Sequence, residues 1–159
     1  METFQDLNLT KQLTNAVADL GLVRPTPVQV AAFPVIAGGK NVVGIAQTGT
    51  GKTAAFSLPI LHNLIPGQRK PQALILSPTR ELAMQVAKAM EGYGAYTGVR
   101  VLAIYGGSSY SRQISALKRG VDVVVGTPGR LLDLLNKRSL DLSAVRTLVL
   151  DEADEMLSM

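Results

Sequence analysis

The 159-residue chain contains no cysteine and no tryptophan. The missing cysteine excludes disulfides, thiolate metal sites and a cysteine nucleophile. An intracellular, cytoplasmic setting is compatible with that absence. No apolar run approaches the ~18 residues that a membrane span needs. The N-terminus, METFQDLNLTKQ, lacks the basic-then-apolar layout of a secretory signal. Histidine occurs once, as His62, late in a helical pattern where a last-turn position suits it better than catalysis. What remains is 47% hydrophobic and 18% charged, which excludes disorder and fits one domain of ordinary size. Sixteen Lys and Arg against twelve Asp and Glu leave a net charge of +4, a lean towards polyanionic partners that establishes none.

Short apolar runs alternate with longer helical patterns. Five runs read as strands buried on both faces, because they are rich in Val, Ile and Leu with little polar alternation: 41–46, 73–77, 99–105, 121–125 and 147–150. Leu13, Ala16, Val17 and Leu20 mark an amphipathic helix that Gly21 would close. Thr26 and Pro27 read as the cap and first residue of a second helix, ending at Gly38-Gly39. A third helix starts in the turn 49–52 and stops before Pro66-Gly67. A fourth begins near Thr79 with Leu82, Val86, Met90 and Tyr93 on one face. Two shorter ones cover about 110–118 and 129–136. Met84, Met90 and Met156 fall at helical spacings and read as core or gap fillers. Strand–helix alternation of this kind predicts an α/β fold with a parallel sheet and helices on both faces.

Between the first expected strand and the third helix stands Ala46-Gln47-Thr48-Gly49-Thr50-Gly51-Lys52-Thr53. This is the alanine-start variant of the phosphate-binding loop G-x-x-x-x-G-K-[ST]. Gly49 and Gly51 let backbone N–H groups turn towards phosphates where a Cβ would clash. The helix N-terminus adds its positive dipole end. Lys52 would place an ammonium on the β- and γ-phosphates, and Thr53 would offer its hydroxyl to Mg²⁺. The bland alternative is a Gly/Thr-rich connection with a threonine cap. At the end of the last strand, Asp151-Glu152-Ala153-Asp154 puts carboxylates where open α/β sheets bind ligands. Asp151 would hold Mg²⁺ and Glu152 would orient or deprotonate an attacking water. Helix capping or a solvated acidic turn is the alternative there.

These two segments and what lies between them resemble the N-terminal, RecA-like, nucleotide-binding domain of the DEAD-box ATP-dependent RNA helicases. Residues 21–29, Gly-Leu-Val-Arg-Pro-Thr-Pro-Val-Gln, with Phe4 upstream, are similar to the family's Q motif. Residues 46–53 resemble motif I, Pro78-Thr79-Arg80-Glu81-Leu82-Ala83 motif Ia, and Gly106-Gly107 the GG pair. Thr127-Pro128-Gly129-Arg130 resembles motif Ib, and residues 151–154 spell motif II. The likeness runs through essentially the whole chain, 1–159, in the family's order. The run Glu155-Met156-Leu157 resembles the bacterial cold-shock-associated subgroup.

The resemblance implies a P-loop NTPase that uses ATP and Mg²⁺. The nucleotide would be held by Phe4, Pro27, Gln29 and residues 46–53, with Gln29 reading the adenine edge. Lys52, Asp151 and Glu152 would be catalytic, and Thr53 and Asp151 would serve the metal. It also implies that Pro78, Thr79, Arg80, Gly107, Thr127, Pro128, Gly129 and Arg130 line a track for the RNA backbone. Gly permits close approach, Thr donates a hydroxyl and Arg grips phosphate bidentately. Aromatic residues at 4% agree with gripping backbone rather than stacking bases. Read from the residues alone, Pro78-Thr79 and Thr127-Pro128 are strand-to-helix turns with caps. Leu22 departs from the family pattern, standing where many members carry an aromatic beside the adenine.

The family's motif III strand and its second RecA-like domain, which carries the arginine fingers, would follow Met159. The expectation is therefore a domain cut short before motif III, which alone neither unwinds duplexes nor turns over ATP appreciably. A non-catalytic nucleotide- or RNA-binding fragment, and another P-loop NTPase, are the rival readings.

Overall fold

The computed structural model describes residues 3–41 and 51–157. The expected first strand, beyond Asn41, and Ala46, Gln47, Thr48, Gly49 and Thr50 of the phosphate loop lie outside the described residues. The chain forms two compact units, 1–64 with 89–98, and 65–88 with 99–159.

In the first unit a short 3-10 turn, Phe4–Leu7, precedes α1 (Lys11–Asp19), α2 (Pro27–Ala37) and α3 (Lys52–His62). Thr10 caps α1 through its side chain, accepting from the Leu13 N–H. Leu13, Ala16 and Val17 are buried as their spacing requires. Leu20 is 50% exposed instead, because it is already the C-cap where the chain leaves the helix. Gly21 follows at φ 76°, the left-handed position that closes such an end. Thr26 and Pro27 are the cap and first residue of α2, and Gly38 caps its far end. His62 meets the Phe33 ring edge-on, with centroids 5.4 Å apart, and Asn63 Nδ2 ties the end of α3 to the Ala37 carbonyl at 3.0 Å.

The second unit is built on four parallel strands: β1 (Ala73–Leu76), β2 (Val101–Ile104), β3 (Val123–Gly126) and β4 (Thr147–Leu150). Their order is β2-β3-β1-β4. Helices α4 (Arg80–Tyr93), α5 (Tyr110–Arg119), α6 (Pro128–Asn136) and the short α7 (Ala153–Leu157) follow the strands in turn. On one face Leu74, Ile104 and Val124 form a core with Leu131 and Leu134 of α6 and Leu140, and Ile114 and Leu117 of α5 pack against it. On the other face Ala73, Ile75, Val123 and Val125 are buried as well. Both sides of the central strands are thus covered, as their unbroken apolar runs require.

Strand β4 departs from that expectation. Leu148 and Leu150 are 57% and 53% exposed. They share a face with Leu74 and Leu76, but the core on that face draws on the β1 leucines and not on theirs. Among the described residues β4 pairs only with β1, at the end of the order. Met84 also differs, standing 43% exposed while Met90 is fully buried.

At the N-terminal ends of the strands Asp122 is a buried hub. Its carboxylate accepts from the Arg100 backbone N–H at 2.8 Å, from Nε at 3.2 Å and from Nη2 at 3.0 Å. A third guanidinium contact, to the Gln68 carbonyl, ties in the loop before β1. Replacing Asp122 by Ala leaves these donors without their acceptor. Asp122→Ala is expected to lower stability by about 2 kcal/mol in a urea titration followed by circular dichroism; an unchanged midpoint would contradict this role.

Candidate functional site

The start of α3 carries the elements of an anion site. Gly51 is its N-cap at φ 84°, a conformation that glycine takes without cost. A Cβ there would lie 2.4 Å from Gln29 Nε2. Lys52 and Thr53 are the first two helical residues, both part-buried, and the first turn carries no acidic side chain. The donor set fits a polyphosphate: N–H groups of a helix's first turn, an ammonium, a hydroxyl, and a backbone bare of Cβ at the point of approach.

Gln29 is buried and joins two segments that the sequence separates. Its Oε1 accepts from the Thr26 N–H at 3.0 Å, while the Thr26 hydroxyl accepts from the Gln29 N–H at 3.4 Å, a reciprocal cap on α2. Its Nε2 donates to the Gly51 carbonyl at 3.1 Å. Among the described residues this uses one of the amide's two N–H donors. Phe4 is 3% exposed, and its N–H donates to the Val23 carbonyl at 3.3 Å, tying the N-terminal turn to the segment before α2. Pro27 and Leu22 are exposed.

The second unit gathers the other expected residues along one edge. Leu76, Ile104, Gly126 and Leu150 stand on one register line across the sheet. Immediately beyond it Ser77 N–H bonds to the Gly126 carbonyl, Thr127 N–H to the Ile104 carbonyl, and Asp151 N–H to the Leu76 carbonyl, each at 2.9 Å. Across the edge the order is therefore Gly106-Gly107, Thr127–Arg130, Pro78–Arg80 and Asp151-Glu152. Pro78 is buried and shapes its turn; Thr79 caps α4 by accepting from the Leu82 N–H at 3.2 Å; Arg80 is exposed. Gly126 lies so close to α6 that a Cβ would sit 2.8 Å from the Leu131 side chain.

Side chains knit these loops together. The Arg80 guanidinium lies 5.0 Å from the Tyr105 ring centroid and reaches Gly107, whose added Cβ would be 3.7 Å from Nη1. Arg130 Nη1 donates to the Ser108 carbonyl at 3.2 Å and to Gln113 Oε1 at 2.9 Å. Its guanidinium sits 3.8 Å from the Tyr110 ring centroid. Sequence reasoning missed Gln113 and Tyr110. A signal was present, because Tyr110, Gln113, Ile114 and Leu117 fall at helical stripe spacing, and a glutamine on an apolar stripe is a buried polar group in need of partners. Glu152 adopts φ 53°, left-handed backbone that is uncommon outside glycine and that concentrates at functional sites.

Residues 26–159 match the family model for the DEAD/DEAH box helicases. The chain belongs to that family. It is 55% identical over 158 residues to the ATP-dependent RNA helicase DeaD of Mycobacterium tuberculosis H37Rv, covering 99% of this chain and 28% of that protein. Identity to the Escherichia coli K12 DeaD protein is 54%, over 99% of this chain and 25% of that one. Both are bacterial, in keeping with the subgroup that residues 155–157 resemble. Among solved structures, a DEAD box protein from Methanococcus jannaschii superposes with TM-score 0.94 at 42% identity, covering 99% of this chain and 43% of that one. A hypothetical ATP-dependent RNA helicase from Sulfolobus tokodaii gives 0.87 at 41% identity, over 95% and 44%. The four parallel strands with their helices are thus a DEAD-box RecA-like domain. The chain spans about a quarter of the length of the curated relatives it matches. No described helix is long and apolar enough to cross a membrane.

The edge glycines separate two roles. A Cβ on Gly129 would meet nothing within 4 Å, whereas Gly107 sits at φ 82°. Gly129→Ala is expected to keep the wild-type thermal midpoint yet weaken RNA binding, while Gly107→Ala also costs about 1 kcal/mol of stability. Unchanged RNA affinity in Gly129→Ala would remove that glycine from the expected track.

Proposed function

We propose that this chain is the ATP- and RNA-backbone-binding first domain of an ATP-dependent RNA helicase. The observation that carries the reading is the shared strand edge, where the residues expected to grip RNA stand beside the carboxylates expected to serve hydrolysis. Family membership supports it and weighs against an unrelated P-loop enzyme.

In the working enzyme Gln29 reads the adenine edge with the amide N–H that its bond to Gly51 leaves over, and Phe4 and Pro27 build the rest of that pocket. Residues 46–51 wrap the phosphates with backbone N–H groups. Lys52 binds the β- and γ-phosphates. Thr53 and Asp151 hold Mg²⁺, which when bound neutralises charge on the phosphate oxygens. Glu152 orients the attacking water and takes its proton. The strained backbone at Glu152 suits a carboxylate that must be aimed rather than left to rotate. Thr79, Arg80, Gly107, Thr127, Gly129 and Arg130 hold the sugar-phosphate chain, with Pro78 and Pro128 setting the turns. Recognition of this kind has little sequence preference and is strongly salt-dependent.

A second RecA-like domain completes the machine and supplies the arginine fingers. ATP and RNA bind jointly as the two domains close, closure bends one strand and melts a short duplex, and hydrolysis resets the cycle in the cytoplasm. The 159 residues alone bind without unwinding.

The test uses the full-length protein that carries this chain. Lys52→Ala is expected to abolish ATP binding. Glu152→Gln is expected to keep ATP binding and lower RNA-stimulated turnover by about 100-fold or more. Normal RNA-stimulated hydrolysis in Glu152→Gln would overturn the role given to Glu152.

A further inference from the structure

Arg130 is held from three directions by groups outside the motif that contains it. The Ser108 carbonyl and Gln113 Oε1 both accept from Nη1, and the Tyr110 ring lies against the guanidinium. Among the described residues, these bonds engage Nη1 only, so Nε and Nη2 keep the donor pair with which arginine grips a phosphate. Gln113 is 4% exposed, and it spends its other end on the same turn: Nε2 donates to the Tyr105 carbonyl at 3.3 Å and to the Ser108 hydroxyl. A buried amide satisfied on both ends has one orientation, and here that orientation offers its oxygen to Arg130.

Tyr110 is 37% exposed and contributes a ring face rather than its hydroxyl. Lys137 Nζ also lies 3.9 Å from that ring's centroid, and its ion pair with Asp133, at 3.6 Å, is part-exposed. One aromatic ring therefore collects two cations at a shallow depression of about 600 Å³, lined among others by Gly106, Tyr110, Gly129, Arg130 and Asp133. Free arginine side chains lose rotamer entropy when they bind phosphate. A guanidinium already stacked and doubly bonded has lost that freedom before RNA arrives.

The geometry points to Tyr110 and Gln113 as positioning residues that fix the Arg130 guanidinium for an RNA phosphate, Tyr110 by its ring face and Gln113 by its side-chain oxygen. The inference rests on the reading of Arg130 as a phosphate contact. It adds that the grip depends on α5, which carries none of the family's motifs quoted for this chain.

The experiment measures binding of a single-stranded oligouridylate to the full-length protein by fluorescence anisotropy across a series of KCl concentrations, with thermal midpoints recorded alongside. Arg130→Ala is expected to weaken binding and to reduce the salt slope by ~0.7, the loss of one phosphate contact on a single strand. Tyr110→Leu is expected to weaken binding about fivefold with a reduced slope and a wild-type midpoint. Tyr110→Phe keeps the ring and restores both affinity and slope. Adding Tyr110→Leu to Arg130→Ala produces no further loss, because both remove one contact. Gln113→Leu is expected to match Tyr110→Leu in affinity and slope, with a lowered midpoint because the Tyr105 carbonyl and Ser108 hydroxyl lose their buried donor. Wild-type affinity and slope in Tyr110→Leu, with Arg130→Ala impaired, would overturn the inference and leave the RNA reading standing. Losses that add in the double variant would overturn it too. Wild-type behaviour in Arg130→Ala would remove the phosphate contact itself, and the inference with it.

Discussion

The structure depends on the in-register parallel pairing of four short strands. Leu76, Ile104, Gly126 and Leu150 end their strands on one line, so the loops that follow leave the sheet together and on the same side. Antiparallel pairing would send alternate loops to opposite edges. Parallel sheets are as a rule covered on both faces, and the central runs Ala73–Leu76 and Val123–Gly126 are apolar on both sides. The opposite edge has a different task. There Asp122 and Arg100 tie the starts of the strands together through main-chain and side-chain bonds, an arrangement that stabilises the sheet.

On the functional edge, chemistry follows from what each residue leaves out as much as from what it carries. Gly107 and Gly129 expose backbone, and Gly126 gives α6 room to approach β3. Arginines supply charge, yet each is restrained: Arg80 by the Tyr105 ring, Arg130 by Tyr110, Gln113 and the Ser108 carbonyl. A restrained cation suits a ligand whose phosphates recur at fixed spacing. Two tyrosines among few aromatics are spent on holding arginines, so their rings are committed to protein cations.

Much of this was legible in the sequence, and the reasons are local. Thr26-Pro27 announced the start of α2 because capping and fixed φ act within one turn. Strand β4 begins and ends at the residues that its apolar run marks. The motif residues fall beyond strand ends because a strand pattern gives way to a turn at each of them. What stayed hidden is tertiary. Nothing local shows that Gln113 reaches Arg130, seventeen residues on, or that Gln29 reaches Gly51, twenty-two residues on. The exposure of Leu148 and Leu150 was equally hidden, since an apolar run reports what a strand can bury and not what covers it. Leu20 fitted a helical stripe by spacing and escaped the core because its helix ends there.

The central claim is that the edge following Leu76, Ile104, Gly126 and Leu150 is the face that receives RNA. Hydrogen exchange of the full-length protein, with and without single-stranded RNA and an ATP analogue, tests it most directly. The account predicts RNA-dependent protection of backbone amides at residues 79–80, 106–108, 127 and 129–130, with no change at 98–100, 120–122 and 143–146 on the opposite edge. Protection confined to that opposite edge, or none at these three strand ends, would contradict it.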